Sequence, residues 1–82
     1  MRTRAKICGI TRSQDIDAVV NAGADAIGFV FFRPSPRNVS ADQAKELIQH
    51  VPAYVQTVGL FVNATADDIA DVLKQVALDI IQ

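Results

Sequence analysis

The sequence predicts an α/β fold with parallel strands in the order β-α-β-α-β-α-β. Three observations carry it. Short apolar runs rich in β-branched residues begin near residues 5, 26, 55 and 79. Between them, apolar residues recur at i, i+3 and i+4, the signature of one helix face. The run Ala26 to Phe32 is apolar at odd and even positions alike, as a strand buried on both faces must be. Strands alternating with helices over crossovers of this length imply right-handed parallel units, in a barrel or in a doubly wound sheet.

Each element follows in order. Ala5 to Ile10 is the first strand, bounded by charge and by Thr11. Asp15 to Ala22 forms a helix with Ile16, Val19 and Val20 on one face, and Gly23 stands where a glycine terminates a helix. The second strand, Ala26 to Phe32, runs into Arg33-Pro34-Ser35-Pro36-Arg37-Asn38, where two prolines this close exclude both helix and central strand. Ser40 with Gln43 three residues on is a capping box. Ala44, Leu47, Ile48 and Val51 continue at helical spacing until Pro52 stops the pattern. Val55 to Val62 is the third strand. Thr65 caps a third helix whose apolar face is Ile69, Val72, Leu73 and Val76, with Asp67 and Asp68 in the first turn where the helix dipole favours them. Asp79 to Gln82 begins a fourth strand. Stopping inside that strand predicts either a true edge or a longer protein cut there, and the second is the expectation.

Composition narrows the function classes. The chain has 82 residues, one domain at most, of which 50% are hydrophobic and 21% charged, ordinary globular proportions. The net charge is −1 and no basic cluster marks a nucleic-acid face. Arg2 and Arg4 read as solvated. The single cysteine excludes an internal disulfide, offers no metal-ligand set and suits the reducing cytoplasm. No apolar stretch follows the first charges as in a signal peptide, and the longest apolar run is too short to span a bilayer. There is no phosphate loop, GxGxxG, HExxH or paired-cysteine motif.

Cys8 and Arg37 are the candidates for chemistry. Cys8 lies at the C-terminal end of the first strand, the end at which parallel α/β sheets build their sites. A thiol needs a helix N-terminus or an arginine nearby to act as a thiolate at neutral pH. The alternative is a small packed hydrophobe, the usual state of a free cysteine. Arg37 lies in the loop after strand two, at the same end, and its guanidinium could grip a carboxylate or phosphate as a bidentate fork, or simply be solvated. Arg33 shares the loop with no further argument. Lys6 has the parity of Cys8 and would need a partner if buried, with Asp79 the candidate. Asn63 directly follows strand three and could bond a substrate or form the turn into the Thr65 cap, the turn being the expectation. His50, Asp15, Asp17 and Asp25 read as surface residues.

Several segments combine at this point. Lys6-Ile7-Cys8-Gly9-Ile10-Thr11, Gly23-Ala24-Asp25-Ala26-Ile27-Gly28-Phe29-Val30-Phe31, Ser35-Pro36-Arg37 and Val58-Gly59-Leu60-Phe61-Val62-Asn63, in this order and spacing, closely resemble the phosphoribosylanthranilate isomerase family over the whole chain. The resemblance implies that residues 1–82 are a single partial domain, the N-terminal half of a TIM (βα)8 barrel, truncated in strand four. It implies a tryptophan-biosynthesis enzyme, an aldose–ketose isomerase carrying out an Amadori rearrangement without metal or organic cofactor. Cys8 matches the family's general base, which takes the C2′ proton. Arg37 matches the arginine that holds the anthranilate carboxylate. The family's general acid and its phosphate-binding loops fall on later strands.

Four expectations follow for the chain itself: no isomerase activity alone, a small phosphorylated sugar-anthranilate as the parent's substrate, no nucleic-acid or membrane partner, and a homo-oligomer that covers the open edges. The competing expectation is a small non-catalytic open-sheet module that binds a ligand or associates with itself.

Overall fold

A computed structural model describes residues 4–82; Arg2 lies outside the described residues. The elements are β1 (Lys6–Cys8), α1 (Ser13–Asn21), β2 (Ala26–Phe31), α2 (Ala41–Ile48), β3 (Gln56–Phe61), α3 (Ala66–Gln75) and β4 (Ile80–Ile81). The strands form one sheet in the order β1-β2-β3-β4, every pair parallel. All seven expected elements are present in the expected order.

The helix ends form as their local sequences dictate. At the end of α1 the Gly23 N–H donates to Val20 O and the Ala24 N–H to Val19 O, a Schellman pair made possible by the left-handed Gly23 (φ 94°). Ser40 and Gln43 close the capping box of α2, with Gln43 N donating to Ser40 Oγ at 3.1 Å and Ser40 N to Gln43 Oε1 at 2.9 Å. Thr65 and Asp68 close the same reciprocal pair on α3. The first turn of α1 differs: Arg12 caps it without a side-chain bond and instead pairs with Asp15.

Several boundaries are tighter than the apolar pattern suggests. β1 ends at Cys8, because Gly9 and Ile10 both turn their N–H groups onto Gly28 O. Ile10 is buried all the same, as a core residue outside the strand. α2 ends at Ile48, where the His50 and Val51 N–H groups reach back only three residues. α3 has no fully buried residue and leaves Leu73 exposed, although Val72 packs against the core and Val76 beyond the helix end is buried.

The register fixes the faces. Ile27 and Phe29 of β2 pack with Ile16 of α1 and with Ala44 and Leu47 of α2, so their face is the helix-covered one. The other face carries Lys6, Cys8, Ala26, Gly28, Val30, Gln56, Val58, Leu60 and Ile80. On this second face Lys6 Nζ on β1 donates to Gln82 Oε1 just beyond β4. In a flat sheet the first and fourth strands would stand about 14 Å apart. A direct bond between those side chains therefore requires the sheet to curl toward this face, which is the arc of a barrel with Cys8 on its concave side.

The expected Lys6–Asp79 pair does not form. Asp79 stands level with Thr57, on the opposite parity from Lys6. Its carboxylate accepts from Thr57 N at 2.9 Å and lies 3.3 Å from Thr57 Oγ1, while Thr57 Oγ1 donates to Ala77 O at 3.0 Å. Asp25 is another correction. It is half-buried and its carboxylate accepts from Ala5 N at 2.8 Å, tying the start of β1 to the start of β2.

Candidate active site

Cys8 is the last residue of β1 and is half-buried. The chain turns immediately after it. Gly9 takes a left-handed φ of 87°, which a residue with a Cβ adopts only under strain. Gly9 N and Ile10 N then both donate to Gly28 O, at 3.0 and 3.3 Å. The turn is thus anchored to the neighbouring strand, and Cys8 is held at the C-terminal rim of the sheet.

Arg37 arrives from a braced loop. Ser35 N donates to Phe32 O, Asn38 N to Ser35 O and Arg37 N to Ser35 Oγ. Val39 N donates to Val30 O, and Asn38 forms a bridge with Val30 that returns the chain to the sheet. The Arg37 side chain lies directly over Gly9. A Cβ at position 9 would collide with Arg37 Cδ and stand 3.2 and 3.3 Å from its Nη1 and Nε. The fold therefore sets Arg37 against Gly9, the residue that follows Cys8, although the two lie 28 positions apart in sequence.

The remaining sequence candidates stand apart from this pair. Arg33 and Asn63 line a separate cleft of about 630 Å³ over the stacked rings of Phe31 and Phe61, whose centroids are 5.1 Å apart. That cleft includes neither Cys8 nor Arg37. Asn63 has a left-handed φ of 55° and forms the turn before the α3 cap. Lys6 shares the concave face with Cys8 and bonds Gln82. His50 is exposed in the turn after α2. At the start of α1, the Arg12 guanidinium holds the Asp15 carboxyl below the usual carboxylate range by hydrogen bond and charge, and Asp15 raises Arg12 in turn. Among the described residues no group of His, Cys, Asp and Glu is placed to hold a metal ion, and no helix is long and apolar enough to cross a membrane.

Sequence reasoning missed one residue of this site. Gly28 lies beside Cys8 in the register of β2, and a Cβ there would stand 2.8 Å from Cys8 Sγ. The available signal was a glycine inside an otherwise apolar strand, which marks a close approach.

The comparisons agree with this architecture. A model of the N-(5'-phosphoribosyl)anthranilate (PRA) isomerase family matches residues 5–82. The N-(5'-phosphoribosyl)anthranilate isomerase of Acinetobacter calcoaceticus is 74% identical over 82 residues, covering 100% of this chain and 38% of that protein. A crystal structure of phosphoribosyl anthranilate isomerase in complex with reduced 1-(o-carboxyphenylamino)-1-deoxyribulose 5-phosphate superimposes with a TM-score of 0.94 at 42% identity, over 99% of this chain and 42% of that one. A structure of monomers generated from the dimeric enzyme of Thermotoga maritima gives a TM-score of 0.91 at 41% identity, over 99% of this chain and 41% of that one. The chain spans about two fifths of the length of the proteins it matches. The parallel β-α-β-α-β-α-β order corresponds to the N-terminal half of their barrel. With the family model matching nearly from end to end, the chain belongs to the phosphoribosylanthranilate isomerase family.

Proposed function

We propose that this chain supplies the base and the carboxylate anchor of a phosphoribosylanthranilate isomerase, an intramolecular oxidoreductase of tryptophan biosynthesis. The reaction converts N-(5-phosphoribosyl)anthranilate to 1-(o-carboxyphenylamino)-1-deoxyribulose 5-phosphate. An aldose amine becomes a ketose amine, so C2′ loses a proton and C1′ gains one, with no net change in electrons. Cys8 is the group that takes the C2′ proton, as a positioned thiolate can. Arg37 holds the anthranilate carboxylate, for which the planar guanidinium fork is matched in shape and charge. The observation that supports this reading is Arg37 lying over Gly9, the residue that follows Cys8 at the C-terminal rim.

The general acid and the phosphate site that the family resemblance implies fall on later strands. The 82 residues by themselves therefore show no turnover above a Cys8→Ala control, because half an acid–base pair without a phosphate anchor does not position the transition state. In the full-length enzyme, Cys8→Ala lowers kcat by about 10²- to 10⁴-fold, the usual contribution of a general base. Retention of parental kcat by Cys8→Ala would remove Cys8 from the mechanism.

The same reading includes a cytoplasmic setting, where a free thiol stays reduced, and self-association of the chain. The outer strands expose Ile7, Ile80 and Ile81, and apolar edges of this kind pair readily. Sedimentation of the chain as a compact monomer at micromolar concentration would count against association.

A further inference from the structure

Cys8 and Gly28 face one another across β1 and β2. A Cβ at position 28 would stand 2.8 Å from Cys8 Sγ and 3.3 Å from both its Cα and its Cβ. The Cys8 side chain therefore leans over β2. The space it fills is the one a side chain at position 28 would take. Gly28 has no left-handed φ, so backbone conformation is not what demands a glycine. Its carbonyl also receives the two N–H groups that follow Cys8, so the same residue seats both the thiol and the turn behind it.

We infer that Gly28 is a positioning residue for Cys8, its missing side chain being the seat in which the thiol lies. This rests on the reading of Cys8 as the base. Alanine at position 28 forces Sγ to retreat by at least about 0.6 Å to regain ordinary contact. Misplacement on the order of 1 Å costs roughly 10²-fold in rate. Arg37 keeps its own seat over Gly9, so binding of the substrate carboxylate is spared.

The test uses the full-length isomerase with Gly28→Ala, Cys8→Ala and the double variant. Each is assayed for kcat, KM, folding by circular dichroism and, where the thiol is present, alkylation of Cys8 by iodoacetamide. Gly28→Ala is expected to lower kcat by about ten- to hundredfold with KM within about twofold, and to change the alkylation rate several-fold. In the Cys8→Ala background the same substitution adds no further loss. An equal loss in both backgrounds, or parental kcat and alkylation in Gly28→Ala, overturns the inference. Should Gly28→Ala fail to fold, a folded double variant supports the thiol as the obstacle, and an unfolded one overturns it. Parental kcat in Cys8→Ala would sink the base assignment instead, and alkylation alone would then decide whether Gly28 seats the thiol.

Discussion

Asp79→Ala separates a structural role from a catalytic one. In a parallel ladder successive N–H groups point to opposite sides. Gln56 N donates to Asp25 O on the β2 side, so Thr57 N faces β4. The β4 strand begins only at Ile80, and the Asp79 carboxylate stands in for the missing backbone acceptor, 2.9 Å from Thr57 N. Thr57 is only 5% exposed. Alanine at 79 leaves that N–H without a partner, a loss of about 1–3 kcal/mol for a buried donor. Because Asp79 itself is exposed, the charge adds little beyond the bond, and about 2 kcal/mol is the expected total. Asparagine keeps an oxygen in place and is expected to cost less than about 1 kcal/mol. The assay is urea unfolding with an unchanged m-value, run beside steady-state kinetics of the full-length enzyme, in which KM and kcat stay parental at a temperature where the variant is folded. Asp79→Ala within about 0.5 kcal/mol of the parent, the ordinary range of surface changes, would refute the role. A loss of equal size in Asp79→Asn would show that charge, not acceptance, is what matters.

Three further outcomes are expected. Arg37→Gln raises KM about ten- to hundredfold in the full-length enzyme, the worth of a charge-assisted pair; an unchanged KM would exclude Arg37 from carboxylate binding. Ser40→Ala removes one half of the α2 capping box and lowers stability by about 1 kcal/mol, visible as faster amide exchange confined to the first turn of α2. The Asp15 carboxyl titrates below the usual carboxylate range because of Arg12. Its folded pKa is depressed, so its small contribution to stability is present above the ordinary carboxylate pKa and lost as pH falls through the folded value. Both groups are exposed, so 1 M salt or Arg12→Gln returns the Asp15 titration toward normal in an NMR experiment.

What the sequence made legible was local. The Ser40–Gln43 box and the Gly23 terminator involve residues within five positions of one another, and both formed as read. The apolar runs located every strand but overran their ends, because burial continues past the ladder: Ile10 and Val76 are core residues outside any strand or helix. The Lys6–Asp79 expectation failed on one residue of register. Parity on β4 is fixed by its pairing with β3, Val58 against Ile80, and nothing near Asp79 in sequence states it. Asp25 was misread for the same reason, since its partner, Ala5 N, lies twenty residues away. At the proposed site, type and position single out Cys8 and Arg37 as candidates. The contacts that hold them, over Gly28 and Gly9, are set by tertiary approach and left only the glycines themselves as a trace.

The loop that carries Arg37 is closed at its base by the Val30–Asn38 bridge and by the Val39 N–H on Val30 O, and the Ser40 box rigidifies the helix it enters. Inside this clamp the exposed Arg33, Pro34 and Pro36 make no side-chain hydrogen bond to the sheet among the described residues. The segment behaves as an interchangeable cassette. Its tip can change at positions 33, 34 and 36 without re-tuning the strands, because the Val30–Asn38 bridge and the Val39 N–H hold the loop to the sheet from its base.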